Sequence, residues 1–170
     1  HVKVFDGRTG SELFSFMAYD AGFHKGVFVA AGDFDGDGFA DIITGADAGG
    51  GPHVQVFSGR NPANVLASFY AYDSGFAGGV RVAAGDVNGD GVLDIVTGAG
   101  AGGGPHVRAF NGRDLSLLAN FFAFDASFHN GIFVAAGDVN GDGAADIVAG
   151  AGAGGGPHVK VFDGRTGAEL

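Results

Sequence analysis

Three short acidic segments carry the residues of this chain that are best suited to chemistry. Each begins with Asp and places side-chain oxygens at its first, third, fifth and ninth positions, with Gly at the sixth. Gly permits a sharp bend there, and the seventh residue offers a backbone carbonyl. A cation of calcium's size takes about six to eight oxygen ligands, so the spacing predicts three calcium sites. The predicted ligands are Asp33, Asp35, Asp37, Phe39 and Asp41; Asp86, Asn88, Asp90, Val92 and Asp94; and Asp138, Asn140, Asp142, Ala144 and Asp146.

The acidic segments could instead be Asx turns or EF-hand loops. Asp-Gly and Asn-Gly are common turn formers, but turns alone do not require four oxygen-bearing side chains in each of three copies. An EF-hand has a bidentate Glu at position 12, where this chain has Thr44, Thr97 and Ala149. An apolar run follows each segment, which predicts a strand and disfavours both the EF-hand and the related dockerin loop.

The whole chain is an internal repeat. His-Val recurs at His1, His53, His106 and His158, with spacings of 52 or 53 residues. The last thirteen residues repeat the first thirteen, with Ser11 changed to Ala168. We therefore divide the chain into one repeat array with units at about 1–52, 53–105 and 106–157, and 158–170 beginning a fourth.

Each unit contains four apolar runs of strand length. In the middle unit they are Gly79–Ala84, Asp94–Gly98, His106–Phe110 and a run around Ala119–Phe124, bounded by Gly, Asn and Asp. No segment holds an apolar period of 3.6 residues for long enough to form a helix. A period near fifty with four strands is typical of a β-propeller blade, so we predict an all-β chain of about three four-stranded antiparallel blades. Phe and Val would then form the core between blades.

The motifs resemble a known family. Each unit contains Phe-x-x-Gly-Val/Ile, then Ala-Ala-Gly-Asp, the acidic segment, Asp-Ile-Val/Ile and Gly-Ala. This order resembles the FG-GAP repeat of integrin-type propellers and the similar VCBS repeats of bacterial surface and secreted proteins. The resemblance implies a four-stranded blade with calcium between its first two strands. It also implies a ring of usually seven blades, so three units require missing blades or oligomerisation, for example a dimer with six blades.

A second group of residues lies in the opposite loops. A Gly-rich loop ending in Pro-His precedes each third strand, and a Tyr/Phe-Asp-x-x-Phe link joins successive blades. In an antiparallel meander these two connections share one rim, opposite the acidic segments. The candidate ligand-binding residues are His53, His106, Asp20, Asp73 and Asp125. The plainer alternative is that the His side chains bond locally, that the Asp side chains cap turns and that the Gly loops are only wide turns. Arg81 replaces the Phe of the other units and would line the central channel or pair with a carboxylate.

Composition restricts the function. The 170 residues carry a formal charge of −10, and ten of the 19 acidic residues lie in the three acidic segments. An acidic chain is a poor partner for nucleic acid, and no apolar run reaches the roughly 20 residues needed to span a membrane. The chain has no Cys, which excludes disulfides and thiol chemistry. The near-identical units offer no unique catalytic constellation, so we do not expect an enzyme.

The resemblance to FG-GAP and VCBS repeats, together with the predicted calcium sites, implies a secreted or cell-surface protein. The function we expect is a calcium-stabilised binding or adhesion module, with a protein or carbohydrate ligand and a homo-oligomeric assembly. The sequence leaves two alternative functions open. One is a lectin-like or accessory domain of a polysaccharide-degrading enzyme, and the other is a purely structural repeat scaffold.

Overall fold

The fold consists of antiparallel β-strands without any helix. A computed structural model describes residues 1–170 and contains thirteen strands. They are β1 Val2–Phe5, β2 Glu12–Phe16, β3 Val27–Gly32, β4 Asp41–Ala46, β5 His53–Phe57, β6 Val65–Tyr70, β7 Val80–Gly85, β8 Asp94–Ala99, β9 His106–Phe110, β10 Leu117–Phe122, β11 Ile132–Gly137, β12 Asp146–Ala151 and β13 Val159–Phe162.

The strands form four sheets, each a meander in chain order. Strands β3–β6 and β7–β10 form two complete four-stranded sheets, β1–β2 a two-stranded sheet and β11–β13 a three-stranded sheet. All pairings are antiparallel. The prediction of an all-β chain built from four-stranded antiparallel blades is therefore confirmed. The sheets do not close into a ring.

Strand boundaries differ slightly from the sequence prediction at the outer edge of the middle blade. Strand β10 ends at Phe122, whereas the prediction extended to about Phe124. The N–H of Ala123 donates to the carbonyl of Pro105 at 2.9 Å, beyond the start of β9. The chain leaves the sheet here because Phe122 pairs with His106, the first residue of the antiparallel partner β9, and Phe124 belongs to the link between blades.

The hydrophobic core lies between neighbouring sheets. Every residue of β4 and β8 is buried, so these second strands show no alternation of polar and apolar residues. One buried cluster joins the two complete blades, a second joins the β7–β10 blade to β11–β13, and a smaller one joins β1–β2 to β3–β6. The inner strands β3, β7 and β11 lie side by side, with β7 in the middle.

Arg81 lies on this inner row of strands. Its guanidinium lies over the ring of Phe133 at 4.4 Å and over that of Phe28 at 5.3 Å, and Nη1 donates to the carbonyl of Ala99 at 3.2 Å. Arg81 therefore stacks between the two Phe residues that occupy its position in the neighbouring blades. It forms no ion pair with a carboxylate.

Candidate metal centre

The three acidic segments occupy equivalent places in three blades. Each connects the inner strand to the second strand, as β3–β4, β7–β8 and β11–β12. The flanking strands are paired up to the loop, with Gly32 opposite Asp41, Gly85 opposite Asp94 and Gly137 opposite Asp146. The ladder therefore brings the first and ninth positions of each loop to one end of a rigid sheet.

The first loop brings three carboxylates together. Single oxygens of Asp33, Asp35 and Asp37 all lie within 4.8 Å of one another. Backbone N–H groups of Asp37 and Gly38 donate to the two oxygens of Asp33, at 3.0 and 2.9 Å. Such a set of hard oxygen donors fits a cation of the calcium class, and like charges this close favour a bound cation.

The second and third loops repeat the same backbone geometry. Asp90 N–H and Gly91 N–H donate to Asp86 at 3.0 and 2.8 Å, and Asp142 N–H and Gly143 N–H donate to Asp138 at 3.1 and 3.0 Å. The residue at position six is a Gly with φ between 81° and 88° in all three loops, as the tight bend requires. Asn88 and Asn140 replace the second carboxylate, so these loops present two carboxylates and an amide.

The Asp at the ninth position has a distinct environment. Asp41, Asp94 and Asp146 are fully buried. One oxygen of each accepts the N–H of the residue after the first Asp, at 2.8 or 2.9 Å. Burial raises the pKa of Asp94, against the effect of its backbone hydrogen bonds, which lower it. Asp41 lies outside the group formed by the first three carboxylates, and it fastens the loop to the sheet.

The seventh-position residues are held by the fifth. The N–H groups of Phe39, Val92 and Ala144 donate to Asp37, Asp90 and Asp142 at 2.8 to 2.9 Å. The fifth-position carboxylate therefore fixes the backbone of the segment that was predicted to offer a carbonyl ligand.

The arginines beside the loops were not among the predicted site residues. Arg60 Nε lies 2.5 Å from Asp37 Oδ2, Arg113 Nε lies 3.0 Å from Asp90 Oδ2, and Arg165 Nη1 lies 3.7 Å from Asp142 Oδ1. The hydrogen bond from Arg113 is the largest cause of the lowered pKa of Asp90. A signal was present, because Gly-Arg recurs with its Arg at positions 8, 60, 113 and 165, the spacing of the repeat.

The opposite rim holds the other candidate residues. Nε2 of His53 lies 2.9 Å from Ser68 Oγ, and Nε2 of His106 lies 2.5 Å from Asn120 Oδ1. Burial lowers the pKa of both imidazoles. Oδ1 of Asp20, Asp73 and Asp125 accepts the N–H two residues later, at 2.7 to 2.9 Å, so each Asp caps an exposed turn.

One cavity brings two of these candidates together. A cavity of about 230 Å³ is lined by Asp73 and His106 with Tyr72, Phe76 and Arg108. A hydroxyl-bearing or polar ligand could contact aromatic, cationic and anionic groups there. His53, Asp20 and Asp125 do not line this cavity.

The fold and the three loops define the class of the protein, a repeat protein with propeller-type blades and an acidic loop between the first two strands of each blade. Two family models match the chain. Residues 33–97 match the FG-GAP-like repeat and residues 130–168 match the FG-GAP repeat. Together the matched segments contain all three acidic loops and more than half of the chain. The chain belongs to the FG-GAP-like repeat family.

Membrane-spanning helices are absent from the fold. No helix has the length and apolar character needed to cross a bilayer.

Proposed function

We propose that the chain is a calcium-stabilised propeller segment that works as a non-catalytic extracellular binding or adhesion module. The single observation that supports it most is the group of three carboxylates, Asp33, Asp35 and Asp37, within 4.8 Å of one another. The same backbone geometry in the other two loops supports one calcium ion per loop. Calcium would neutralise the negative charge of these carboxylates. Its ligands lie in the loop between the inner strand and the second strand, so it would stabilise the pairing of these two strands.

An extracellular location agrees with the affinity expected for sites of this kind. Calcium sites of extracellular modules typically have Kd values of about 10⁻⁴ to 10⁻³ M. Calcium at extracellular concentrations occupies such sites, whereas cytosolic calcium leaves them empty. The membership of the FG-GAP-like repeat family supports the same location.

Thermal melting with and without calcium tests the metal site. We expect millimolar calcium to raise the melting temperature above that in chelator, because an ion that binds only the folded state stabilises it. Millimolar magnesium should give a smaller shift, since it dehydrates reluctantly and demands octahedral geometry. Equal melting temperatures in calcium and in chelator would remove the metal from this proposal.

A lectin-like function is the second candidate, and the cavity at Tyr72, Asp73 and His106 favours it. Aromatic rings stack on the apolar faces of sugars, while Asp, His and Arg bond their hydroxyls. Oligosaccharide arrays with the wild type and with an Asp73→Ala variant test this function. Sugar binding that is lost in Asp73→Ala supports a lectin, whereas absence of sugar binding by the wild type excludes it.

A further inference from the structure

The turn that follows the third strand of each blade lies directly against the acidic loop. Gly59 N–H donates to Asp41 Oδ1 at 2.8 Å, and Gly112 N–H donates to Asp94 Oδ1 at 3.0 Å. A Cβ on Gly59 would collide with the carbonyl of Ala40, so the turn cannot lie this close with any larger residue. The next residue in each turn is Arg, which places its side chain beside the metal-binding loop.

The guanidinium contacts the fifth-position Asp at two points. Arg60 Nε donates to Asp37 Oδ2 and Nη2 to the Asp37 carbonyl, at 2.5 and 3.0 Å. Arg113 makes the same two contacts with Asp90, at 3.0 and 3.2 Å. The other carboxylate oxygen already accepts the N–H of the seventh residue. Both oxygens of this Asp are therefore engaged by protein groups.

We propose that Arg60, Arg113 and Arg165 are built-in counter-ions that compete with calcium for the fifth-position carboxylates. This inference rests on the proposed function. In the absence of calcium each guanidinium offsets the repulsion among the loop carboxylates, and when calcium binds, the same positive charge opposes the ion. The arginines thus stabilise the metal-free blades and weaken calcium binding, so that the sites respond to high rather than trace calcium.

The competition between arginine and calcium should differ in strength among the three loops. Arg60 and Arg113 contact their carboxylates at 3.0 Å or less, whereas Arg165 lies 3.7 Å from Asp142. Arg165 Nε also lies 3.5 Å from the carbonyl of Asn88 in the neighbouring loop. Its competition with calcium should be the weakest of the three.

Calcium titration calorimetry of Gln variants tests the competition. In the Arg60→Gln, Arg113→Gln, Arg165→Gln triple variant we expect calcium to bind about three to ten times more tightly at low ionic strength, the range that Coulomb's law gives for charges in contact in water-like surroundings. Its melting temperature in chelator should fall below that of the wild type. Single replacement of Arg165 should have the smallest effect, and adding about 1 M salt should reduce the difference in affinity.

Two control variants separate charge from geometry. Arg8 occupies the same place in a turn that has no acidic loop, and it forms no ion pair, so Arg8→Gln should leave calcium affinity unchanged. Lys at the three positions keeps the charge and should keep the affinity within about twofold.

The outcomes distinguish this inference from the function on which it rests. Unchanged or weaker calcium binding in the triple Gln variant overturns the competition, as does a Lys variant that binds as tightly as the Gln variant. Absence of calcium binding to the wild type and to the triple Gln variant alike overturns the metal site itself.

Discussion

At the scale of single residues, the Tyr of the link between blades shows how a buried polar group is satisfied. The Tyr72 hydroxyl donates to the carbonyl of His106 at 2.9 Å, and Thr97 Oγ1 donates to the Tyr72 oxygen at 3.2 Å. Burial raises the pKa of Tyr72, and it raises that of Tyr19, which makes equivalent contacts, to about 12. The third blade has Phe124 and Ala149 at these places, so both hydroxyls are absent together.

The paired hydroxyls predict coupled effects on stability. Tyr72→Phe should lower the free energy of unfolding by about 1–2 kcal/mol, because it removes the hydrogen bond to the carbonyl of His106 and leaves the Thr97 hydroxyl only its contact with the carbonyl of Arg108. In the double variant Tyr72→Phe, Thr97→Ala, the loss should be smaller than the sum of the single losses by about 0.5–1 kcal/mol. Chemical denaturation of the four proteins in one calcium concentration measures this coupling, and strictly additive losses would contradict it.

The candidate metal centre was predictable from the sequence only in part. The oxygen-bearing positions follow from spacing alone, because a tight loop turns alternate side chains inward. The sequence did not distinguish Asp41, which is fully buried and accepts the N–H of a distant turn, from Asp33, Asp35 and Asp37, whose backbone donors all lie within the loop. That distinction depends on the turn after the third strand, which lies 18 residues further along the chain at Gly59.

At the scale of elements, one residue of the inner strands departs from the repeat and is expected to destabilise the protein. Strands β3 and β11 carry Phe28 and Phe133 where β7 carries Arg81. Burial lowers the pKa of Arg81, and its Nε is buried without a hydrogen-bond partner. The guanidinium gains from stacking on two rings and from the bond of Nη1 to the carbonyl of Ala99, but Nε loses hydration that no acceptor replaces.

Replacement of Arg81 by the residue of the other blades should therefore stabilise the protein. We expect Arg81→Phe to raise the free energy of unfolding by about 1 kcal/mol, since an aromatic ring keeps the stacking and removes the unpartnered donor. Arg81→Ala, which deletes the stacking as well, should lower it. Thermal melting of both variants in saturating calcium provides the measurement, and a lower melting temperature for Arg81→Phe would show that the guanidinium is a net stabiliser.

The elements themselves were largely predictable. Apolar runs, Gly-rich boundaries and the repeat together indicate the number and order of strands. Each apolar run is too short for a helix, and a turn follows each run in every repeat unit. The end of β10 was not predictable, since it depends on where its antiparallel partner β9 begins.

At the scale of the whole molecule, apolar side chains are incompletely covered at both ends of the row of sheets. Val29 in β3 is 59% exposed, whereas Val82 at the same position in β7 is 7% exposed because the preceding blade covers it. A groove of about 620 Å³ between β1 and β3 is lined by Val2, Val4 and Val29. At the other end, Phe133 and Val159 are 51% and 61% exposed.

These faces predict that the 170-residue chain associates with itself. Apolar area of this kind is normally covered in a soluble protein, and a second copy could supply blades for a ring, for example six in a dimer. Light scattering at micromolar concentration should give a mass above that of a monomer. Val29→Glu should lower this mass, whereas Leu117→Glu, on the outer strand of the middle blade, should not. A monomeric wild type would exclude association through these faces.

The sequence by itself determined the repeat, the all-β blades and the positions of the acidic loops, because strand length, turn residues and ligand spacing are local properties of the chain. Only the tertiary structure decided that Gly59 bonds the ninth-position Asp41, that the arginines contact the fifth-position carboxylates, and that Arg81 stacks between two blades. Those contacts join segments that lie 18 to 53 residues apart in sequence. Their geometry is set by strand pairing and by the packing of one blade on the next, neither of which a local pattern specifies.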